Sequence, residues 1–416
     1  MTITTSPTLR RRAAAVAAAL LLSACSLEVT NPGPVNATYL DDKGAFPALV
    51  NGAGRDLAEA LNWVSYTGAA VARELNPAGS TGSFGITPAQ QNGLLEDDET
   101  GTHWQLAQRA RWTSESAITR IKTVLGPTYA TNTQYLQALV WVGYSNRLLA
   151  ENFCDGVIDG GPKESYTVYI TRAEAAFTEA IAVATSQNNT TLLNAAKGGR
   201  AAVRLLKKDF TGAAADANGL TNTFSYKMPY NTIDADQYNR IYWSTANAPY
   251  RAHTVWNTYY ENYFKTTGDP RVAWGSNPAV PVGDAAVGNL GKVPWYFELK
   301  FSAKDSPINL STGWEMRLIE AEAKLTANDV AGAMTLVNMH RVALNLAPWT
   351  AANATDAWTA LKRERGIEIW LEARRLGDFR RWAANGTPGA AEDMTGRDLC
   401  FATSLGEKES NPNFKP

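Results

Sequence analysis

Near the end of this chain the stretch WLEARRLGDFRRW, Trp370 to Trp382, sets Arg374, Arg375, Arg380 and Arg381 with Glu372 and Asp378 between two tryptophans. Such a set of charges grips phosphate, tunes a general acid, or locks helices together. Extended back to Leu361 it holds seven basic and four acidic side chains, with the signs interleaved rather than pooled. A phosphate grip would lack those carboxylates, because they repel the ligand. Glu364, Glu368 and Glu372 recur every four residues, which predicts one helix stripe, with Arg365 and Arg375 placed to pair across it or to neighbouring helices. The helix interior is expected to end near Gly377, with Asp378 starting the next turn. The block therefore reads as scaffold.

Other chemistry is sparse. His103, His253 and His340 are scattered, with no H-E-x-x-H and no cysteine pairs at zinc spacing, so no metal site is expected. There is no nucleophile elbow, Walker A or dinucleotide fingerprint, and Gly283, Gly288 and Gly291 miss those spacings, so no cofactor is implied. A glycosidase needs only two placed carboxylates, for which the run Glu96-Asp97-Asp98-Glu99 is the most visible candidate. Adjacent acids on a polar loop lack the burial that tunes a general acid, so the expectation is a non-enzyme.

The N-terminus speaks of export. Arg10, Arg11 and Arg12 precede the apolar run Ala13 to Leu22, which reads as a signal peptide over residues 1–24. That run is half the roughly 20 residues of a membrane span. Leu22-Ser23-Ala24-Cys25 resembles the bacterial lipobox, which makes Cys25 the lipidated mature N-terminus and the lipid its membrane contact. Cleavage there leaves 36 basic against 40 acidic side chains, a balance unsuited to nucleic acid. Cys154 and Cys400 form a candidate disulfide of an oxidising compartment; two buried free thiols are the alternative, since sequence does not supply the Cα separation.

The elements that position these residues read mainly as helices. Residues 25–43 are a polar, proline-containing tether, residues 44–73 a helix, and Asn76 to Gly93 a long surface loop. From Gln105 to Phe224 apolar residues recur at helical spacing, and AEAAFTEAI carries the Ala-x3-Phe-x2-Ala-Ile pattern of a tetratricopeptide second helix, where phenylalanine fills the gap between small residues. Arg200–Asn218 aligns without gaps on Glu320–Asn338, so Asp209 and Asp329 are expected to cap the second helix of each pair, with Gly212 and Gly332 allowing close packing. Periodicity fails between Tyr226 and Phe301 and returns at Gly313, with a proline break near Pro348, and the tail from Ala383 is loop-like. The expected division is an N-terminal helical region over 44–225, an irregular aromatic insert over 226–312, and a C-terminal helical region and tail over 313–416.

The block Glu364-Arg365, Glu368, Glu372-x-x-Arg375-x-x-Asp378-apolar-x-Arg381-Trp382 resembles the C-terminal signature of the SusD/RagB family of outer-membrane nutrient-binding lipoproteins. Further marks stand in order: Asp269-Pro270-Arg271, Arg317 with Ala321-Glu322-Ala323, Val337-Asn338-x-x-Arg341, and Glu407 with Asn411-Pro412-Asn413. With the lipobox the likeness spans nearly the whole chain. It departs at Ala373, where the family often has glycine, at Phe379, where leucine is usual, and around Phe401 to Ser404, which lacks an expected proline. The resemblance implies an all-α, tetratricopeptide-like scaffold with a variable loop lobe, lipid-anchored at the outer membrane on the cell surface. It implies capture of a nutrient, usually a glycan, delivered to a SusC-like TonB-dependent transporter. Peptide or other nutrient cargo, a non-binding envelope adaptor and a glycan-active hydrolase remain the alternatives.

Sugars present apolar C–H faces ringed by hydroxyls, so a glycan site needs exposed aromatic rings with polar groups beside them. The ligand-binding candidates are Tyr242 and Trp243 in YNRIYW, Trp256 and Tyr259 in WNTYYENY, Trp274, Trp295, and Trp63, Tyr66 and Trp104 around the first long loop. The competing expectation for each is a place in the core of the insert.

Overall fold

The computed structural model describes residues 37–246 and 250–415. The expected signal peptide, Cys25 and the tether as far as Asn36 lie outside them. The described chain is mainly helical. Helices α1 (Phe46–Val71), α2 (Pro88–Gln91), α3 (Gly101–Leu125), α4 (Thr133–Asn152), α5 (Thr167–Ser186), α6 (Thr190–Leu206) and α7 (Phe210–Asn218) precede the irregular region, and α8 (Tyr259–Thr267) lies inside it. After it come α9 (Gly313–Thr326), α10 (Val330–Val337), α11 (Met339–Ala343), α12 (Ala354–Glu368), α13 (Arg375–Asn385) and α14 (Leu405–Ser410). The tail is thus not all loop: the Ser404 hydroxyl accepts from the Glu407 N–H and starts α14.

Three helical hairpins close in the same way. The first helix of each pair runs out into a residue with left-handed backbone, Asn188 (φ 55°), Lys208 (φ 66°) or Asn328 (φ 61°). The next residue, Asn189, Asp209 or Asp329, then caps the second helix with its side chain. Asp209 and Asp329 each accept the N–H three residues on at 2.8 Å. This corrects the expected role of Gly212 and Gly332: a Cβ there would collide with the capping carboxylate itself, so these glycines serve the cap rather than helix-to-helix contact.

Phe177 on α5 fills the gap its spacing predicted. Its ring lies between Gly143 of α4 and Gly199 of α6, and a Cβ at either glycine would overlap it. Tyr144 meets the same ring edge-on at 5.0 Å. Glycines inside helices cost roughly 1 kcal/mol each, and here that cost admits a whole aromatic ring to the core.

Eight short strands join the rest: β1 (Asn76–Pro77), β2 (Asp155–Gly156), β3 (Glu164–Ser165), β4 (Ser225–Met228), β5 (His253–Thr254), β6 (Trp274–Ser276), β7 (Tyr296–Glu298) and β8 (Ile308–Thr312). β4 pairs antiparallel with β8, from Ser225 opposite Thr312 to Met228 opposite Ile308, and so brings the two ends of the irregular region together. β1 pairs with β5, which ties the first long loop to that region. Cys154 and Cys400 are joined by a disulfide with Cα atoms 5.1 Å apart, fastening the tail to the end of α4.

The arginine and glutamate block is buried and internally paired. Arg365 meets Asp378 at 2.8 Å, Arg381 bridges Asp378 and Glu322 at 2.9 Å each, and Arg374 links Glu151 and Glu315 at 2.8 Å each. Burial alone would raise the Asp378 carboxyl, but the surrounding Arg365, Arg381, Arg375 and Arg374 outweigh it and hold the group down at about 2. Two expectations fail in detail. The helix ends at Glu368, not near Gly377, because Leu371 (φ 62°) and Ala373 (φ 61°) turn the chain through left-handed backbone. Glu364 and Glu368 therefore share Arg271 at 2.6 and 3.0 Å, while Glu372 leaves their stripe for Lys300 and Asn309 at 2.7 and 2.8 Å. Gly377 lies inside α13, where a Cβ would come within 2.9 Å of the Glu151 carbonyl oxygen.

Candidate functional site

An aromatic cluster with an exposed ring forms where the first long loop meets the irregular region. Asn62 on α1 holds a strap across itself, donating to the Tyr238 carbonyl at 2.6 Å and accepting from the Arg240 N–H at 2.8 Å. The Arg240 guanidinium then lies on the Trp63 ring, 3.6 Å from its centroid, and donates to the Phe84 carbonyl at 2.7 and 3.1 Å. Gly85 (φ +77°) follows Phe84, and a Cβ there would strike Trp63 at 2.5 Å, so only glycine lets the loop settle on the indole. Burial pushes the Arg240 guanidinium down to about 10, which leaves it charged at neutral pH.

Past the strap, buried Asn239 accepts from the Tyr242 N–H at 3.0 Å and donates to the Ser306 carbonyl at 2.9 Å. It thereby starts a π-helical turn, Tyr242–Ala246, that carries Trp243. Trp243 meets Tyr238, Phe84 and Tyr250 edge-to-face at 5.1, 5.7 and 5.9 Å. Tyr250 is 40% exposed, Trp243 and Tyr238 are half-buried, and the Lys304 ammonium stands 4.5 Å over Tyr238. Beside them the loop encloses a concavity of about 360 Å³ lined by Ser80, Thr81, Thr87 and Gln91 among its glycines. Asp284 pins this loop from the irregular region by accepting the Ser80 N–H at 2.8 Å. The result is an aromatic platform with an ammonium over one of its rings, next to a loop concavity that reaches it through Phe84 and Gly85.

No protein-family model matches the sequence, and no curated protein sequence does. Solved structures match over most of the chain. A SusD superfamily protein from Bacteroides vulgatus ATCC 8482 is 15% identical, covering 90% of this chain and 98% of its own, with a TM-score of 0.64. A SusD-like carbohydrate binding protein from the same organism is 18% identical over 84% of this chain and 85% of its own, with a TM-score of 0.61. A laminarin binding SusD-like protein is 15% identical over 90% and 98%, with a TM-score of 0.63. The chain has the SusD fold.

On this SusD fold the residues expected to meet a ligand part company. Trp63 and Trp243 come together at the platform, but Trp63 has Arg240 on its face and acts by positioning that cation. Tyr66, Trp104 and Trp295 are buried and offer no face to a ligand. Tyr66 bonds His253 Nδ1 at 2.7 Å, the Trp104 indole donates to Glu407 at 3.2 Å, and the Trp295 indole to the Thr245 carbonyl at 2.8 Å. Tyr242 and Trp256 are half-buried away from the ring contacts of the platform. Tyr259 lies under Arg363 at 4.4 Å, and Trp274 stacks on Tyr296 at 4.3 Å beneath Lys265, both apart from it.

Phe84 and Tyr250 had not been singled out. Phe84 is the sole aromatic residue in the polar loop from Asn76 to Gly93, which was a usable signal. Tyr250 carries none. Burial holds His103 and His253 near 3 and therefore neutral. In the acidic run, Asp97 pairs with Lys408 at 2.7 Å, which lowers its carboxyl, the opposite of what a general acid needs.

Proposed function

We propose that this chain is a surface lipoprotein of the outer membrane that captures a glycan and delivers it to a SusC-like TonB-dependent transporter. The observation that carries the reading is the platform of Trp243, Tyr250 and Tyr238 with Lys304, built on a SusD fold. Aromatic faces supply contact area to the C–H side of a sugar, and a polar group beside them, here the Lys304 ammonium, orients it. Two solved structures of like fold bear names that state carbohydrate or laminarin binding. No helix of the described residues is long and apolar enough to cross a membrane, and in this reading attachment runs through lipid on Cys25.

Capture without cleavage is supported by where the two most strongly raised carboxyls lie. Burial raises the carboxyls of Glu74 and Glu298 to about 8, but they are 2% and 0% exposed. Each faces a backbone amide, that of Leu371 at 3.0 Å and that of Phe301 at 2.9 Å, rather than a substrate cleft.

The test is calorimetry of the purified protein against a panel of polysaccharides and oligosaccharides, with product analysis on each. Saturable binding without products, weakened at least about tenfold in Trp243→Ala and Tyr250→Ala, is the expected result. Release of reducing ends, or silence across the panel, would overturn the reading.

A further inference from the structure

A second concavity, of about 480 Å³, opens between α1, α4 and the segment 228–237, and it shares no lining residue with the platform. Gly54, on its rim, precedes Trp63 by nine residues, about 13 Å along α1. Its aromatic wall is Trp141 of α4, which Tyr226 backs at 6.0 Å between centroids. Gly54 lets the α1 backbone approach the edge of the same indole: a Cβ there would stand 3.1 Å from the indole nitrogen.

The polar groups of this concavity are amides. Asn51 and the Trp141 indole N–H make no hydrogen bond to the described residues. Gln137 spends its amide nitrogen on the Tyr226 hydroxyl at 3.0 Å and keeps its carbonyl oxygen. Asn231 spends its carbonyl oxygen on the N–H groups of Ile233 and Asp234 at 3.0 and 3.1 Å and keeps its nitrogen. The one cation on the rim, Arg55, is already neutralised by Asp234 at 2.6 Å and Glu59 at 3.2 Å. What remains free is a balanced set of donors and acceptors with no net charge to satisfy, beside an apolar wall. A charged ligand would find no counter-ion there, and a purely apolar one would strand the amides. Vicinal hydroxyls on a ring with a C–H face match both features.

We propose that this concavity is a second saccharide subsite that takes an uncharged sugar ring, with Trp141 as its wall and Asn51, Gln137 and Asn231 as its hydroxyl partners. It stands whether or not the platform binds glycan.

The test is the indole Nε1–H resonance of Trp141 in the purified protein labelled with nitrogen-15, assigned by its loss in Trp141→Phe. Neutral hexose and pentose oligosaccharides should move it saturably. The shift should persist in Trp243→Ala, and the paired substitution Asn51→Ala and Gln137→Ala should weaken the affinity about tenfold while the resonance stays at its unliganded position. A Trp141 resonance that no neutral oligosaccharide moves overturns the proposal, as does one that only uronate oligosaccharides or peptides move. So does a shift that disappears with Trp243→Ala, which would make it a remote effect of the platform.

Discussion

Glu298 offers the sharpest test of the electrostatics. It stands on β7, fully buried, with one carboxylate oxygen accepting the Phe301 N–H at 2.9 Å and the other without a partner. Burial raises it from 4.5 to about 8, so below pH 8 the folded chain keeps the proton that the unfolded chain releases near 4.5. The sign follows from that order. The full stability is present below 4.5, falls as pH rises from 4.5 to about 8, and is flat beyond. At pH 8 the loss is about 4 kcal/mol for this group. Glu298→Gln keeps the acceptor for Phe301 and cannot ionise, so it should match the parent at pH 4 and exceed it at pH 8. With about 2 cal/mol/K of unfolding entropy per residue, a chain of this size should gain about 5 °C in Tm at pH 8. Thermal unfolding followed by circular dichroism from pH 4 to 9 measures it. A constant offset between the two proteins across that range would show that the carboxyl does not change its charge on folding, and the argument would fail.

Ala373→Gly should raise stability by about 1 kcal/mol, because the residue sits at φ 61°, where a β-carbon is strained and glycine is not; a lower denaturant midpoint would contradict this. Trp382→Ala should cost roughly 3 to 5 kcal/mol in chemical unfolding, since the indole is 3% exposed and meets the cations of Arg381 and Lys362 at 5.0 and 5.4 Å. Unchanged stability there would remove the scaffold reading of the C-terminal block. Gly199→Ala should destabilise despite better helix propensity, because its methyl overlaps the Phe177 ring; a gain in Tm would mean that the ring has room to move. Cys25→Ala should move the protein from the membrane to the soluble fraction of cells, and continued sedimentation with membranes would refute lipid attachment.

The helical scaffold was legible because its signals are local. A 3.6-residue apolar period, an aspartate before a new helix and a phenylalanine flanked by small residues each report their own surroundings. Two kinds of feature were not. The reversal over 369–374 depends on left-handed backbone at Leu371 and Ala373, residue types that ordinarily avoid it. Nothing in the charge pattern separates one stripe of three glutamates from two glutamates and a turn. The outward faces of the aromatic residues were the second: Trp295 and Tyr296 are neighbours, yet one is sealed under Thr245 and the other is a surface stack. Tyrosine and tryptophan each carry an apolar body and a polar tip, so their presence does not say which way they point.

The ion-pair block explains why the improbable turn persists. Replacing buried ion pairs by apolar side chains would often be neutral or stabilising, so their presence is poorly explained by stability alone. Here Arg374, Arg381 and Arg365 reach carboxylates on other elements: Glu151 on α4, Glu315 and Glu322 on α9, Asp378 on α13. A path over 369–374 that withdrew Arg374 from Glu151 and Glu315 would leave those charges buried and unpaired, at a cost of several kcal/mol each. The left-handed residues need at most about 2 kcal/mol apiece, so the pairing requirement wins. The platform answers to no such constraint. Its rings are held by the Asn62 and Asn239 amides and by contacts at glycine, none of which requires Trp243 or Tyr250 to be aromatic. A fold held by charged pairs, carrying a lobe whose exposed rings its own contacts do not require to be aromatic, is recognisable in three dimensions at 15% identity.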